Sequence, residues 1–201
     1  MGAGTGTGTA VLARALPGAD IIAVEPHQAL RTALLARVAG DEDLRTRVTV
    51  LGSDLLSAAL PQRMAGLIAM NVIGHFAPAD RSEVWALLAD RLAPGGRAVL
   101  NLYPPTRPEA LPAIPLTAVT LGRRRYTGSA AADPAGPDAV TWHMTYRVTE
   151  DSEQITEFTA SDRWYVITPE QLAAELAEHC LRLTPGDPTH GIQVISRRGS
   201  Q

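Results

Sequence analysis

The sequence predicts an α/β fold with a doubly wound, mostly parallel sheet and a small antiparallel β insertion before the last helix and strand. Three observations predict it. A glycine-rich turn opens the chain, helical and β-branched segments alternate to residue 102, and extended stretches follow near 117–128, 139–149 and 153–166. With 201 residues and 45% apolar content, the chain can bury one core. We predict a single domain at 1–201, divided into a first half at 1–102, an insertion at 103–166 and a closing part at 167–201.

Hydrophobic periodicity and breaker residues place the individual elements. Apolar residues at helical spacing alternate with β-branched runs, and Pro-Gly or Gly-Gly pairs separate them. Thr168, Pro169 and Gln171 have the spacing of a capping box with proline at the first helical position. The predicted helices are Thr9–Leu16, His27–Ala39, a short one after Asp54, Ala79–Leu92 and one from Pro169; the predicted strands are Ala19–Glu25, Arg47–Leu51, Ala65–Asn71, Arg97–Leu102 and Ile192–Ser196.

Composition and charge exclude several functional classes. The net charge is -3, and the 18 basic residues, all arginine, are mostly scattered along the chain. This is not the basic stripe of a duplex nucleic-acid-binding protein. No apolar run approaches the roughly twenty residues of a membrane span, and no signal-peptide pattern opens the chain, so we expect a cytoplasmic protein without a membrane partner. Cys180 is the only cysteine, which excludes an intrachain disulfide, and no metal site is predicted.

Glycines dominate the first ten residues. Gly2, Gly4, Gly6 and Gly8 alternate with small residues before an apolar helix. Residues without Cβ allow positive φ and let a ligand lie against the main chain, while the free N–H groups of the following helix favour a polar or anionic ligand end. The pattern predicts a nucleotide-binding turn. A flexible tail is the alternative interpretation.

An acidic residue ends the strand that follows this turn and helix. Glu25 lies nineteen residues beyond Gly6. In a parallel sheet, a carboxylate at this strand end lies beside the first turn, where its two oxygens can accept both ribose hydroxyls of a nucleoside. The alternative is a solvated glutamate at the end of a strand.

Two common nucleotide motifs are absent. The dinucleotide fingerprint requires a small third residue five places after its first glycine, but Thr7 and Thr9 stand at those positions counted from Gly2 and Gly4. The phosphate-binding loop requires a lysine, and the sequence contains none. A redox dinucleotide is therefore disfavoured, and hydrolysis of ATP or GTP by that loop is excluded.

Five motifs occur in a recognisable order along the first half. They are Gly-Ala-Gly-Thr-Gly at 2–6, Val24-Glu25-Pro26, Gly52-Ser53-Asp54, Met70-Asn71, and Leu-Ala-Pro-Gly-Gly-Arg-Ala-Val-Leu at 92–100. In this order they resemble the motifs of class I S-adenosylmethionine-dependent methyltransferases. The resemblance covers residues 1–102, and it extends more loosely over 163–198.

The resemblance implies a Rossmann-like methyltransferase sheet that binds S-adenosyl-L-methionine and releases S-adenosyl-L-homocysteine. Asp54 would accept a hydrogen bond from the adenine amine, and the next backbone N–H would contact the ring. The alternative is that Ser53 or Asp54 only caps a helix. The implied cofactor-binding residues are Gly2, Ala3, Gly4, Thr5, Gly6, Glu25, Pro26, Ser53, Asp54, Leu55 and Asn71.

One element of that family is missing from this sequence. In such enzymes the glycine turn follows the central strand of the sheet, whereas here it begins at Gly2. Loss of an interior strand leaves backbone groups of both neighbours unpaired, at about 1 to 3 kcal/mol for each buried group. We therefore expect that the sequence begins late. The alternatives are a misplaced start, a shortened product, or a strand supplied by another segment or chain.

Four residues are candidates for proton transfer from an acceptor. His75 lies in the loop 72–76, which the resemblance places nearest the transferable methyl, and a neutral imidazole there can take a proton. The alternative is that His75 only packs or caps the next helix. Tyr103, His143 and Glu157 follow in falling order.

The insertion has the composition of an acceptor-binding region. Seven of the nine aromatic residues lie between 103 and 165, where they can capture an acceptor and exclude water or simply form the core of a small sheet. We predict methyl transfer to an N or O atom, with C less favoured, of a small-molecule or peptide acceptor in bacterial-type specialised metabolism. The alternative function is a cofactor-binding protein without methyl transfer, or a cyclase-type catalyst. The sequence leaves a homodimer open.

Overall fold

Helices and strands alternate through the first hundred residues, and strands dominate the rest of the chain. The computed structural model describes residues 1–198. Its α-helices are α1 (Thr7–Ala15), α2 (Gln28–Ala39), α3 (Glu42–Arg47), α4 (Pro78–Arg91) and α5 (Pro169–Glu178). Its strands are β1 (Ile21–Val24), β2 (Val48–Leu51), β3 (Met64–Ala69), β4 (Leu92–Asn101), β5 (Leu111–Leu121), β6 (Arg124–Pro134), β7 (Ala139–Glu150), β8 (Glu153–Tyr165), β9 (Leu181–Pro185) and β10 (Ile192–Arg197). Short 3₁₀ helices span Ile73–His75 and Pro188–His190.

The strands form three sheets, and the α/β class is confirmed. Strands β1 and β2 form a parallel pair. A mixed sheet has the order β3-β4-β10-β9, with β3 parallel to β4 and β10 antiparallel to both of its neighbours. Strands β5 to β8 form an antiparallel sheet in sequence order, which we call the insertion sheet. The described strands therefore do not form the one continuous, mostly parallel sheet that we predicted.

The first three residues lie between β1 and β3. The amino group of Met1 donates to Ile68 O at 2.6 Å, and Ala3 N donates to Val24 O at 3.0 Å. These two bonds link the edge of the parallel pair to the edge of the mixed sheet. The carboxyl ends of β1 and β3 are consequently held on either side of the glycine turn.

The parallel pair and the mixed sheet each have their own apolar core. The parallel pair packs on α1, α2 and α3 through Ala13, Ile21, Leu34 and Leu44. The mixed sheet packs on α4 and α5, and Trp85 is 1% exposed at its centre. Burial of each isoleucine or leucine in these cores contributes about 1.5 to 3 kcal/mol, so both cores hold their strand ends firmly in place.

Several elements differ from the sequence predictions. Helix α1 begins at Thr7, two residues before the predicted start, and α3 was not predicted. Turns replace the short helix predicted after Asp54. The Pro-Gly-Gly segment lies within β4, where the register against β3 shifts, and Gly95 has φ 78°. Four extended strands replace the predicted three, because a turn at Gly122 divides the predicted stretch 117–128 between β5 and β6. Edge strand β5 also extends back through Pro112 and Pro115, with register shifts near both prolines.

The last helix confirms the predicted capping box. Thr168 Oγ1 accepts from Gln171 N at 3.2 Å, and Gln171 Oε1 accepts from Thr168 N at 2.9 Å. This cap fixes the start of α5 directly after the insertion sheet. Within residues 1–198, no helix is both long and apolar enough to cross a bilayer.

Candidate active site

Three glycines shape the opening turn. Gly2, Gly4 and Gly6 have φ values of 62°, 57° and 86°, in the left-handed region that glycine adopts without strain. Helix α1 follows directly, and its N-cap residue Gly6 supplies no side-chain cap. The first N–H groups of α1 therefore lack side-chain acceptors and can bind a ligand.

The three glycines differ in how much room a side chain would have. A Cβ at Gly2 would overlap Val72 Cγ2, and a Cβ at Gly6 would lie 2.7 Å from Leu34 Cδ1. A Cβ at Gly4 would meet no heavy atom within 4 Å. Gly4 therefore borders open space, whereas Gly2 and Gly6 are needed for packing as well as for φ.

Glu25 connects the end of β1 to this turn. Its Oε2 accepts from Gly4 N at 2.7 Å, and its Oε1 accepts from His27 N at 2.9 Å. The residue is only 4% exposed. Each carboxylate oxygen has a further lone pair that can accept a hydroxyl. The carboxylate thus fixes the Gly4 amide, and contact with a ribose stays a prediction.

Two arginines of α2 support the same region, and the sequence analysis did not identify them. Arg31 Nη1 donates to Glu25 O at 3.0 Å and to Pro26 O at 2.8 Å. Arg37 Nε donates to Thr5 O at 3.0 Å. Both arginines bond backbone carbonyls of the glycine turn or of the segment after β1, but sequence alone did not distinguish them from other helical arginines.

The segment after β2 forms a turn stabilised by Asp54. Asp54 Oδ1 accepts from Ser57 N at 2.9 Å, and Oδ2 accepts from Ser57 Oγ at 2.6 Å. These hydrogen bonds lower the pKa of the Asp54 carboxyl below its ordinary value. Ser53 is half-buried, Asp54 is exposed and Leu55 is buried. Asp54 therefore caps a turn, and its contact with adenine stays a prediction.

Asn71 lies two residues beyond the end of β3, in a left-handed conformation with φ 55°. Its backbone N donates to Asn101 Oδ1 at 2.6 Å, and Asn101 Nδ2 donates to Asn71 Oδ1 at 2.7 Å. This reciprocal pair joins the carboxyl ends of two parallel strands. Asn101 is 2% exposed and was missed, although its position at the end of an apolar strand was the available signal.

His75 lies at the end of the 3₁₀ helix beyond Asn71 and contacts the insertion sheet. Its Nδ1 is 2.9 Å from Asp162 Oδ2, with both side chains about half exposed. Its ring meets the Trp164 ring edge-on, with centroids 4.9 Å apart at 74°. A Cβ at Gly74 would overlap the Trp164 indole, so glycine is required for this approach.

A partly buried ion pair supports the His75 loop. Arg81 is 4% exposed, and its Nη2 and Nε donate to the two Glu175 carboxylate oxygens at 2.6 and 3.1 Å. Arg81 Nη1 also donates to Phe76 O at 3.2 Å. The pair therefore connects α4, α5 and the residue next to His75.

The other predicted catalytic residues lie apart from His75. Trp142 is the cross-strand partner of Asp162, and His143 is the next residue of β7, so His143 lies on the other face of the sheet. On that face His143 Nδ1 lies 2.9 Å from Ser161 Oγ. Tyr103 is 51% exposed in the loop after β4. Glu157 bonds Arg147 at 2.6 Å on the same face as His143. Among residues 1–198, none of the three forms a hydrogen bond or ion pair with His75.

Residues 1–96 match the family model described as a methyltransferase domain. No curated protein matches the sequence. These 96 residues include the glycine turn, Glu25, Asp54, Asn71 and the His75 loop.

Solved structures with the same fold are methyltransferases of low sequence identity. One is CalS10, an amino pentose methyltransferase of Micromonospora echinaspora with S-adenosylmethionine bound, with 19% identity, a TM-score of 0.77, and coverage of 98% of this chain and 80% of that chain. The sugar N-methyltransferase KedS8 of Streptoalloteichus has 19% identity, a TM-score of 0.76 and coverage of 98% and 78%. DesVI of Streptomyces venezuelae has 17% identity, a TM-score of 0.78 and coverage of 98% and 81%.

These findings confirm the resemblance inferred from the motifs. The chain carries a methyltransferase domain over its first 96 residues, and over nearly its whole length it has the fold of solved methyltransferases.

Proposed function

We propose that this protein transfers the methyl group of S-adenosyl-L-methionine to a nitrogen or oxygen atom of a small-molecule or peptide acceptor. One observation carries the proposal. The Glu25 carboxylate holds the Gly4 amide of the opening turn. Gly2 of the same turn lies so near Val72 that a Cβ there would overlap the valine, and Val72 directly precedes the 3₁₀ helix that ends at His75. The predicted cofactor turn and the candidate proton acceptor thus lie close together, beyond the carboxyl ends of β1 and β3.

The turn fits an adenosyl group. Open space borders Gly4, the first N–H groups of α1 have no side-chain cap, and the Glu25 oxygens keep lone pairs beside the turn. The glycine turn with Ala3 and Thr5, together with Glu25 and Pro26, would hold the ribose and amino-acid portions. Ser53, Asp54 and Leu55 would border the adenine, and Asn71 would lie beneath the cofactor.

The chemistry requires little of the protein beyond alignment and a proton acceptor. When bound, the cofactor supplies a methyl group on a positively charged sulfur that leaves as a neutral thioether. The acceptor forms its new bond to carbon and must lose a proton if it began as an ammonium or a hydroxyl. Holding the reacting atoms in line, away from water, can contribute about 7 to 11 kcal/mol.

His75 is suited to remove that proton. A carboxylate only accepts hydrogen bonds, so the His75 Nδ1 facing Asp162 carries the hydrogen. In the neutral imidazole, Nε2 then keeps a lone pair for the acceptor. Trp164 packs on the ring and limits its rotation. Asp162 is a positioning residue in this proposal, and Tyr103 and His143 stay secondary candidates.

The relatives suggest which acceptors to test first. CalS10 and KedS8 act on sugars by their printed descriptions, and MtfA, with 22% identity and a TM-score of 0.61, is described as a glycopeptide N-methyltransferase. Amino sugars and glycopeptides therefore form the first panel, with the corresponding hydroxyl compounds as a second. We expect the reaction to belong to specialised metabolism.

The experiment combines cofactor binding with transfer of a labelled methyl group. The full chain is titrated with S-adenosylmethionine by calorimetry and then incubated with methyl-labelled cofactor and the panel. Saturable binding with label in an acceptor supports the proposal. Binding with no label in any acceptor would favour a cofactor-binding protein, and absence of binding by a folded chain would refute the cofactor assignment as well.

Variants test the role of His75. His75→Gln should lower methyl transfer by about 100-fold or more and leave cofactor affinity within about twofold, as for loss of a general base. Asp162→Asn should lower transfer by at least about tenfold, because the histidine loses its fixed tautomer. His179→Gln is the control, since that imidazole bonds Ser82 and precedes β9 at the opposite end of the mixed sheet.

A further inference from the structure

A serine, a histidine and an aspartate lie in contact on the face of the insertion sheet that is turned away from His75. His143 Nδ1 lies 2.9 Å from Ser161 Oγ, and His143 Nε2 lies 3.3 Å from Asp133 Oδ2. Ser161 is the cross-strand partner of His143, and Asp133 lies diagonally across from His143 on β6. We call Asp133, His143 and Ser161 the polar-face triad.

The two contacts of His143 fix where its protons lie. A carboxylate only accepts hydrogen bonds, so Nε2 carries the hydrogen and donates it to Asp133. In the neutral imidazole, Nδ1 then accepts from the Ser161 hydroxyl. This is the order of groups that activates a serine nucleophile, with the roles of the two ring nitrogens exchanged. The His143 side chain is 37% exposed, so a small molecule can reach the triad.

The other histidine contacts of the chain lack one member of this arrangement. His75 and His190 each lie 2.9 Å from an aspartate, but neither bonds a hydroxyl within residues 1–198. His179 Nε2 lies 3.0 Å from Ser82 Oγ, but it has no carboxylate partner in the described part of the chain. Only His143, among the histidines that the structure describes, contacts both a hydroxyl and a carboxylate.

A groove of about 440 Å³ begins beside the triad on the same face of the sheet. Thr145, two residues from His143, and its cross-strand partner Ser129 line the near end with hydroxyl groups. Arg125 and Arg147 line the far end. Arg147 is four residues from His143 along β7, which corresponds to about 13 Å in an extended strand. The groove can therefore hold a short chain that starts at the triad.

The far end of the groove is positively charged. Arg147 Nε donates to Glu157 at 2.6 Å, so that charge is compensated. Arg125 forms no ion pair within residues 1–198, although the two arginines before it both pair with Glu150. A guanidinium without an acidic partner suits a carboxylate. A ligand of this groove would thus carry an anionic group at the end remote from the triad.

We propose that the polar-face triad hydrolyses a small carboxylic ester whose acyl chain ends in a carboxylate. The acyl chain would lie along the groove, with its carboxylate at Arg125 and its ester carbonyl beside Ser161. This inference does not depend on the proposed methyl transfer, which uses the opposite face of the sheet.

The reaction has two balanced steps. Ser161 Oγ forms a bond to the carbonyl carbon while its proton passes to His143 Nδ1, and the ester C–O bond then breaks as the alcohol leaves with that proton. Water next attacks the acyl-serine, giving a proton to His143, and the acid departs as Ser161 regains that proton. Asp133 stabilises the imidazolium in both steps. Arg163, two residues beyond Ser161 on the same face, would donate to the acyl oxygen as it becomes negative.

Labelling with a fluorophosphonate tests the nucleophile, because this reagent forms a stable bond to an activated serine. The full chain is treated with the probe, digested and analysed by mass spectrometry. The adduct should lie on Ser161 and be absent from Ser82, whose histidine has no acid partner in the described part of the chain. A folded wild type with no adduct on Ser161, or with an adduct only elsewhere, would overturn the proposal.

Hydrolysis kinetics test the triad and the groove together. The substrates are the 4-nitrophenyl half-ester of suberic acid and 4-nitrophenyl octanoate, which has the same chain length without the carboxylate. Ser161→Ala should lower kcat/KM for the half-ester at least about 100-fold. Asp133→Asn should lower kcat about tenfold and leave KM unchanged, because Asp133 is a positioning residue for His143. The wild type should prefer the half-ester about fivefold or more, and Arg125→Gln should remove that preference.

Ser82→Ala is the matched control, since it removes the hydroxyl of the serine–histidine pair without an acid. It should hydrolyse the half-ester at the wild-type rate, and far-ultraviolet circular dichroism should match for all the proteins. Activity of Ser161→Ala within twofold of wild type, or an equal loss in Ser82→Ala, would overturn the proposal. Equal kcat/KM for the two esters in the wild type would overturn the assignment of the groove to an anionic acyl chain.

Discussion

Substitution of Gly4 separates an effect on cofactor binding from an effect on the stability of the fold. It has φ 57° and borders open space, so Gly4→Ala would add a methyl group where we expect the cofactor without creating a clash in the protein. The backbone cost is about 1 to 2 kcal/mol for a left-handed alanine. For a chain of this size, that cost lowers Tm by roughly 2 to 8 °C.

The effect on cofactor affinity should be larger than that small loss of stability suggests. The new methyl group stands beside the Gly4 amide, whose N–H is fixed by Glu25 Oε2 at 2.7 Å. A ligand lying on this backbone would be displaced by about the width of a methyl group. We expect affinity for S-adenosylhomocysteine to fall by 10- to 100-fold, or about 1.4 to 2.7 kcal/mol.

Gly122 provides the matched control. It has φ 60°, also borders open space, and lies in the turn between β5 and β6. Gly122→Ala should lower Tm by a similar amount and leave affinity unchanged. Calorimetric titration of wild type, Gly4→Ala and Gly122→Ala measures this directly. If Gly4→Ala binds within twofold of wild type, the cofactor does not lie on the opening turn.

Three further predictions follow from particular contacts. Gly74→Ala should displace the Trp164 indole, lowering kcat for methyl transfer at least tenfold while cofactor affinity changes little, as steady-state kinetics and calorimetry can establish. Glu175→Ala should lower the free energy of unfolding in urea by about 3 to 5 kcal/mol, because its arginine partner is left buried and unpaired; a loss below 1 kcal/mol would contradict this. The Asp54 carboxyl should titrate below its ordinary pKa of 3.8, so its charged form stabilises the fold above that pH and the contribution disappears as pH falls through the lower, folded-state pKa. Ser57→Ala should raise the pKa of the Asp54 carboxyl, which carbon-13 NMR of that group can measure. An unchanged pKa in the variant would contradict the prediction.

The sequence identified the parts of the site that depend on backbone. Alternating glycines require positive φ values, and three of them have such values. The spacing to Glu25 placed a carboxylate beside the turn, where it bonds the Gly4 amide. Both predictions rest on short-range chemistry and on the order of parallel strands, which is why they could be made without coordinates.

Features that depend on register could not be predicted in the same way. Asp162 lies 87 residues after His75 in a strand with no distinguishing pattern, and only the pairing of β7 with β8 places it on the face toward His75. The same register places His143 on the other face. A one-residue shift in the pairing would move Asp162 to the other face of the sheet. The sequence pattern alone therefore does not show which residue of the insertion faces His75.

The prolines of the insertion misled the prediction for a different reason. Pro112 and Pro115 indicated a loop, because proline removes a backbone donor. At the edge of a sheet that donor is not needed, and β5 accommodates both with register shifts. Helix α3 was missed because six residues are too few to show the periodicity of a helix, although Asp41 caps it by accepting from Leu44 N at 3.1 Å.

A crystal structure of the full chain with S-adenosylhomocysteine tests the central claim most directly. We predict the adenosyl group against Gly4, with ribose hydroxyls hydrogen-bonded to the Glu25 carboxylate and the sulfur directed toward the His75 loop. A ligand bound elsewhere, with the Glu25 oxygens contacting only the Gly4 and His27 amides, would contradict the account.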